Sequence, residues 1–120
     1  MIKRQAELTV VQSKEMRGGK GTVTMEHFMD QAMANGAGRL FAKTTLPPGA
    51  SIGRHTHEGD SEVYYILEGK GKINDNGVIA ELAPGDSAFC PDGSFHEIEN
   101  TGASDLVFIA IVLFTKQHNV

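Results

Sequence analysis

Apolar residues in this chain come in short runs that turn-forming residues interrupt at short intervals. From Arg39 onward, β-branched and aromatic side chains alternate with clusters that contain Gly, Pro, Asn or Asp. This pattern is typical of β-strands that tight turns connect. Asn76-Gly77, between two of the runs, indicates a β-hairpin. The predicted strands are 39–46 (RLFAKTTL), 62–69 (EVYYILEG), 71–75 (GKIND), 77–82 (GVIAEL), 86–90 (DSAFC), 96–100 (HEIEN) and 105–114 (DLVFIAIVLF).

The last predicted strand, at residues 105–114, is apolar at both odd and even positions. A strand with one face in water alternates between apolar and polar side chains, so both faces of this strand should be covered. The cover is either a second sheet of the same chain or a second subunit. The sequence leaves both alternatives open.

The first third of the chain is predicted to add strands and one short helical turn, which stops at Gly36. Many short strands with one brief helical segment favour a β-sandwich or small barrel over an α/β fold. We expect residues 1–35 to pack on a barrel formed by residues 36–116. The expected N-terminal order is a strand near residues 8–12, a mobile loop at 16–21 (MRGGKG), a strand at 22–29 and the helical turn at 30–38.

Composition narrows the class of protein. A chain of 120 residues with 40% hydrophobic and 22% charged residues fits one folded globular domain. The apolar run at 106–114 is shorter than the roughly 20 residues of a membrane-spanning helix. A formal net charge of −4, without a run of Lys or Arg, gives no signal for nucleic acid or an anionic membrane. The single Cys90 and an N-terminus without an apolar signal segment predict a cytoplasmic protein.

The sequence HTH at positions 55–57 is the first candidate for chemistry. In a strand, residues two apart share a face, so His55 and His57 point the same way. An isolated triplet of this kind more often belongs to solvated histidines, and the metal hypothesis therefore depends on Glu62 and His96. Three imidazoles and one carboxylate suit a divalent transition metal (Mn, Fe, Co, Ni, Cu or Zn) better than Ca²⁺ or Mg²⁺.

These residues stand within a longer pattern of fixed spacing. The first set is Gly49, His55, His57, Glu62 and Gly69, and the second is Gly85, Pro91, Gly93, His96 and Asn100. Both sets resemble the two motifs of the cupin family, with every fixed position present. The segment 70–84 between them resembles the short linker of small microbial cupins.

The resemblance implies an all-β fold, a double-stranded β-helix (jelly-roll) cupin barrel with an N-terminal extension. It also implies a metal inside the barrel, held by His55, His57, Glu62 and His96. Because cupin barrels often pair, it suggests, together with the apolar strand, a homodimer. Positive φ angles are expected in turns at Gly69, Gly85 and Gly93.

Residues around the ligand set are weaker candidates. Tyr64 shares parity with Glu62, and Ile98 with His96, so both are expected to line the cavity; Tyr64 is the candidate catalytic group. Arg39 and Lys43 are either positive charges for an anionic ligand or surface residues. Cys90 is expected to be a small buried thiol. The remaining charged or imidazole side chains are interpreted as rim, surface or structural residues: His27, Glu58, Asp60, Glu97, Glu99 and His118.

A metal with this ligand set keeps a net charge near +1 and open positions, which favours an anionic or bidentate oxygen ligand. The short form of the motifs is similar to small cupins described as oxalate-decarboxylase-like. We therefore expect a metal-dependent enzyme acting on a small carboxylate or polyhydroxy compound, of decarboxylase, dioxygenase, isomerase or lyase type. The lid glutamate that donates a proton in oxalate decarboxylases has no match here. The alternatives are a non-catalytic module that binds or senses a sugar or organic acid, and a structural or storage role.

Overall fold

The computed structural model describes residues 1–115, so the prediction for His118 lies outside the described residues. This part of the chain forms β-strands with two short 3₁₀ turns, Gln5–Glu7 and Met16–Gly18. Within it, no helix has the length and apolar character needed to span a bilayer. The strands are β1 (Thr9–Lys14), β2 (Thr22–His27), β3 (Gly38–Leu46), β4 (Ser51–Thr56), β5 (Asp60–Glu68), β6 (Gly71–Asp75), β7 (Val78–Leu82), β8 (Ser87–Cys90), β9 (Phe95–Asn100) and β10 (Leu106–Phe114).

The strands form two antiparallel sheets. Six strands lie in the order β1-β2-β3-β10-β5-β8, and four lie in the order β4-β9-β6-β7. Alternate side chains of both sheets point inward and form one apolar core, because successive residues of a strand face opposite sides. This arrangement confirms the predicted all-β jelly-roll. The core includes Val23, Leu46, Ile52, Tyr64, Ile66, Ile73, Ile98, Leu106 and Phe108.

β10 is a central strand of the larger sheet, between β3 and β5. Its inward side chains, such as Phe108 and Val112, are buried against the second sheet. On the outward face, Ile109 and Ile111 are half-buried and Leu113 is exposed. The prediction that both faces are covered is therefore confirmed for the inner face, whereas the outer face stays open in a single chain.

The turns follow the sequence signals. Asn76 and Gly77 have φ angles of 52° and 98° and connect β6 to β7, as a two-residue hairpin requires. The predicted positive φ angles are confirmed, with values of 83° at Gly69, 93° at Gly85 and 89° at Gly93.

The N-terminal region extends the larger sheet, because β2 pairs with β3 and β1 pairs with β2. The predicted helical turn is a series of hydrogen-bonded turns near Asp30, and Gly36 has a φ angle of 77°. The predicted loop is held against β4: the Lys20 N–H donates to Ser51 Oγ, and the Ser51 N–H donates to the Lys20 carbonyl. The division of the chain at residue 35 stays a prediction.

Candidate metal centre

The four candidate ligands come from both sheets. His55 lies on β4 directly opposite His96 on β9, Glu62 lies on β5, and His57 directly follows β4. The pairing of β4 with β9 shifts between Ile52 and His55. A shift of this kind changes which side chains point inward, and here Ile52 and His55, at positions of opposite parity, both border the interior cavity.

The ligand atoms of the four side chains converge on one point. The His96 Nε2 atom lies 3.0 Å from both Glu62 Oε1 and His55 Nε2. The His57 Nε2 atom lies 3.0 Å from Glu62 Oε1 and 3.2 Å from His96 Nε2. All four ligand atoms lie within 4.8 Å of one another, and the structure groups His55, His57, Glu62 and His96 as a potential metal site.

Hydrogen bonds on the far side of two rings set their tautomers. His55 Nδ1–H donates to the Gly53 carbonyl at 2.8 Å, and His57 Nδ1–H donates to Asp60 Oδ1 at 2.7 Å. In the neutral rings, each Nε2 atom then keeps a lone pair that faces the centre. Ligands bonded to a metal at about 2.1 Å lie about 3.0 Å apart when adjacent in octahedral geometry. The donor set therefore fits a divalent transition metal in both chemistry and spacing.

The electrostatics of the site favour a cation. Burial of Glu62 opposes its ionisation, but hydrogen bonds from His55, His57 and His96 outweigh burial and hold the pKa of Glu62 far below its usual value. The hydrogen bond with Glu62 raises the pKa of His57, burial opposes the rise, and the bond with Asp60 adds to it. The carboxylate is therefore negatively charged, and it attracts either a proton or a metal to the imidazoles around it.

Tyr64 lies beside the ligand set, as its parity predicts. Its ring stacks on His96 with centroids 4.8 Å apart, and its hydroxyl lies 3.4 Å from His96 Nε2. Burial, followed by the charge of Glu62, raises the pKa of Tyr64 well above its usual value. The hydroxyl is therefore a neutral group at ordinary pH. Ile98, the other residue expected to line the cavity, is buried in the apolar core.

Asp60 is the site residue that the sequence interpretation missed. The expectation of a solvated rim charge is wrong, because Asp60 is 6% exposed and accepts hydrogen bonds from His57 and from Arg39 Nε, the latter at 2.8 Å. Its parity with Glu62 on β5 was the signal that could have found it. Arg39, at the start of β3, lines the cavity, whereas Lys43 on the same strand does not.

The other candidates lie outside the ligand set. Glu97 pairs with Arg54 at 2.8 Å, and Glu58 is exposed. Cys90 is a buried free thiol on β8, as expected, and burial raises its pKa to about 11, with contributions from nearby acidic groups. His27, at the end of β2, is half-buried and apart from the metal centre.

A cavity of about 40 Å³ adjoins the ligands inside the barrel. Tyr64 and three of the four candidate ligands form its polar base. Two cationic side chains, Arg17 and Arg39, also border it. Its apolar lining consists of Met16, Met25, Leu40, Ile52, Ala110 and Val112.

A jelly-roll of two antiparallel sheets with three histidines and one glutamate converging inside it defines a class of small β-barrel with a candidate metal centre. Comparison of the sequence with known protein families identifies the family to which the chain belongs. The profile of the cupin domain matches residues 42–112, and the chain belongs to the cupin family.

Similar proteins share nearly the whole chain. A protein of Thermotoga maritima named oxalate-binding protein is 45% identical over 113 residues, which cover 94% of this chain and 93% of the relative. The crystal structure of a predicted oxalate decarboxylase from Thermotoga maritima has a TM-score of 0.91 at 45% identity and covers 95% of this chain and 99% of its own. A sugar phosphate isomerase of the cupin superfamily from Silicibacter pomeroyi has a TM-score of 0.73 at 20% identity and covers 93% of this chain and 74% of its own, which shows the shared fold alone.

Proposed function

We propose that this chain holds a divalent transition metal between His55, His57, Glu62 and His96, and that the metal binds a small carboxylate such as oxalate. The observation on which the proposal rests is the convergence of four ligand atoms within 4.8 Å beside an internal cavity. The name of the relative from Thermotoga maritima, an oxalate-binding protein, supports the choice of ligand.

The size and charge of the site agree with a small anion. A cavity of about 40 Å³ has room for about three water molecules at roughly 10–15 Å³ each, so it suits a ligand of few atoms. A divalent cation with one carboxylate ligand keeps a positive charge, which favours an anionic oxygen ligand. Arg17 adds further positive charge at the border of the cavity, whereas the charge of Arg39 is paired with that of Asp60.

Each part of the site has a defined task in this proposal. A divalent metal held there would supply a Lewis acid for the carboxylate of the ligand. Asp60 and the Gly53 carbonyl fix the imidazole planes of His57 and His55. Tyr64 offers a neutral O–H group beside the ligands, and the apolar lining of the cavity limits the access of water.

The catalytic form of the proposal is decarboxylation. In this reaction the carbon–carbon bond of oxalate breaks, carbon dioxide leaves, and the remaining carbon takes up one proton to give formate. Tyr64, whose hydroxyl lies 3.4 Å from His96 Nε2, is the candidate catalytic residue for that proton. Other reactions of a small carboxylate or polyhydroxy compound would use the same ligands and the same hydroxyl.

The second candidate function is a non-catalytic module that binds or senses a small organic acid. Burial holds the proton of Tyr64 tightly, so this hydroxyl is a better hydrogen-bond donor than proton source. The sequence also has no match to the lid glutamate of oxalate decarboxylases. Both observations favour binding without turnover.

Metal analysis tests the first step of the proposal. The wild-type chain, purified without chelator and then loaded with Mn, Fe, Co, Ni, Cu or Zn, should retain a stoichiometric amount of at least one metal. His96→Ala should lose that metal because a ligand is removed, whereas His27→Ala, which alters a histidine outside the site, should keep it. Equal metal content in His96→Ala and the wild type would contradict the proposal.

Carbon-13 NMR of labelled oxalate distinguishes the two functions. The metal-loaded protein is incubated with oxalate, and formate and carbon dioxide are followed over time. Formate production that Tyr64→Phe abolishes, while oxalate binding persists, would support the catalytic form. Saturable binding of oxalate with no product in any of the six metals would support the binding module.

A homodimer and a cytoplasmic location are also proposed. Exposed apolar side chains cover the outward face of the six-stranded sheet, where Tyr65 on β5 is paired with Ile109 on β10. A surface of this kind is favoured where a second subunit covers it. The single cysteine, Cys90, is free and buried, which agrees with a reducing compartment.

A further inference from the structure

The segment of residues 15–21, here called the N-terminal loop, brings an arginine to the metal centre from outside the matched cupin region. Arg17 lies in this loop between β1 and β2 and borders the cavity that contains His55, His57, Glu62 and Tyr64. Arg17 is an exposed residue among those that border this cavity.

The backbone of the N-terminal loop is held in a costly conformation. Arg17 has φ and ψ angles of 55° and 31°, the left-handed region that glycine adopts most easily. Glycine stands next to it at position 18, yet position 17 itself has a long cationic side chain. Non-glycine residues in this region are concentrated at binding and catalytic sites, where the side chain has a purpose other than stability.

Close packing fixes the loop beside the ligands. A Cβ atom at Gly53 would overlap the Arg17 carbonyl oxygen, so the loop touches β4 at the residue whose own carbonyl orients His55. Gly19 packs equally closely against the Ser51 backbone. The position of Arg17 is thus set by the same strand that supplies two candidate ligands.

The two arginines at the cavity differ in their partners. Arg39 is already paired with Asp60 at 2.8 Å. Within residues 1–115, the Arg17 guanidinium forms neither an ion pair nor a hydrogen bond. Arg17 is therefore a cation at the cavity that is available to a ligand.

The charges of the loaded site favour a dianion. A divalent metal and Glu62 together leave one positive charge, Arg39 and Asp60 neutralise each other, and Arg17 adds a second positive charge. A ligand with two negative charges would balance both positive charges, whereas a ligand with one would leave the exposed Arg17 charge to the solvent.

We propose that the site selects a small dicarboxylate dianion over a monoanion of the same shape, and that Arg17 binds the carboxylate that the metal does not neutralise. This inference rests on the proposed function, since it requires the metal and a carboxylate ligand to be bound. Arg17 is then the residue that determines specificity for charge, although it lies outside the family motifs. A charge-assisted hydrogen bond from a guanidinium to a carboxylate has the geometry and strength for this task.

Oxalate and oxamate provide the test, because oxamate replaces one carboxylate of oxalate with a neutral amide of similar shape. Both ligands are titrated by calorimetry into metal-loaded wild type, Arg17→Met and Arg4→Met. The wild type should bind oxalate more tightly than oxamate. Arg17→Met should raise the Kd for oxalate about ten- to hundredfold, the range of one charge-assisted hydrogen bond, and change the Kd for oxamate little. Arg4→Met, which removes an exposed arginine away from the cavity, should leave both values unchanged.

Metal content and folding are measured on the same samples. Arg17→Met removes the charge but leaves a side chain that must adopt the left-handed backbone conformation. Arg17→Gly removes the charge and also relieves this strain, because glycine adopts that conformation easily. Arg17→Gly should therefore unfold at the wild-type temperature or above it, yet lose oxalate affinity as Arg17→Met does. This pair separates loss of the guanidinium from loss of structure.

Failure of this inference is distinguishable from failure of the proposed function. Unchanged oxalate binding in Arg17→Met, an equal loss of oxalate and oxamate, or loss of metal from that variant would overturn the role of Arg17 and leave the metal site intact in the wild type. A wild-type chain that retains no metal, or that binds neither ligand, would overturn the proposed function and this inference with it.

Discussion

Asp60 connects the candidate metal centre to the rest of the barrel. Its two oxygens accept hydrogen bonds from the His57 ring and from Arg39, and its side chain is almost fully buried. A carboxylate in this position fixes the tautomer and the plane of a ligating imidazole and increases its basicity. If the centre holds a metal, as we propose, its affinity should depend on Asp60, a residue outside the candidate ligand set.

Replacement of this carboxylate should weaken metal binding without abolishing it. Asp60→Asn keeps an oxygen acceptor but removes the negative charge, so we expect metal affinity to fall about 10- to 100-fold, the usual effect of such partners. Competition with a chelator of known affinity measures the change. Glu58→Gln, which alters an exposed carboxylate two positions away, is the matched control and should bind as the wild type does. Equal affinities in the two variants would show that Asp60 does not support His57.

The reactivity of the buried Cys90 thiol should depend on pH. Burial, together with nearby acidic groups, raises the pKa of this thiol to about 11, so the reactive thiolate is scarce over the ordinary pH range. At about pH 8, close to the usual thiol pKa, iodoacetamide should modify the folded protein very slowly. The rate should rise only as the pH approaches the shifted value.

The control for this experiment is the same chain unfolded in urea, in which Cys90 should react as an ordinary thiol. Mass spectrometry of timed samples measures both rates. Rapid modification of the folded protein at the lower pH would contradict the buried, uncharged thiol.

At the scale of elements, the contact between the N-terminal loop and β4 joins the N-terminal region to the metal centre. The loop lies so close to β4 that Gly53 and Gly19 have no space for a Cβ atom. Two hydrogen bonds between Lys20 in the loop and Ser51 in β4 hold the same two segments together. Because β4 supplies His55, and His57 directly follows it, displacement of the loop changes the surroundings of two candidate ligands.

Gly53→Ala should separate these two elements. The added methyl group overlaps the Arg17 carbonyl oxygen, so one of the two segments must move, at an expected cost of about 1–3 kcal/mol in the free energy of unfolding. Urea unfolding measures the loss as a lower midpoint at an unchanged slope. Gly102→Ala is the control, because its nearest contacts would be at an ordinary 3.6 Å. Similar losses in the two variants would argue against a specific contact between loop and strand.

At the scale of the whole molecule, the outward face of the six-stranded sheet leaves several apolar side chains exposed in a single chain. Direct pairing places Phe89, Val63 and Ile111 side by side across β8, β5 and β10. Tyr65 is 47% exposed and Phe89 is 58% exposed on this face. Contiguous apolar area of this kind is uncommon on proteins that stay monomeric, and it underlies the proposed homodimer.

Light scattering should give a particle of twice the 12.9 kDa mass of one chain. Tyr65→Lys places a charge in the middle of the apolar face and should shift the particle to a monomer, because burial of an unpaired ammonium is unfavourable. Val78→Lys introduces the same charge at an exposed apolar residue of the other sheet and should leave the mass unchanged. A monomeric wild type at micromolar concentration would contradict the dimer.

Much of the architecture is encoded locally. The alternation of apolar residues and the turn residues predict the positions of β3 and of β5 to β10 to within about two residues, because strand periodicity and turn chemistry depend on near neighbours. The candidate ligand set of His55, His57, Glu62 and His96, which the structure brings together, is predicted from the shared parity of the two histidines of HTH and from the resemblance to the cupin motifs. The sequence by itself therefore determines the fold class and the chemistry of the candidate centre.

Tertiary structure decides which neighbours that centre has. Asp60 looks like a rim charge until Arg39, from another strand, meets it inside the barrel. The glycine-rich segment that contains Arg17 looks like a mobile loop until its contact with Gly53 brings the arginine to the cavity. Both contacts join residues that lie far apart in the chain. The burial of Asp60 and the position of Arg17 therefore depend on tertiary packing, which no local sequence pattern contains. The sequence specifies the candidate ligands, and only the folded barrel determines what surrounds them.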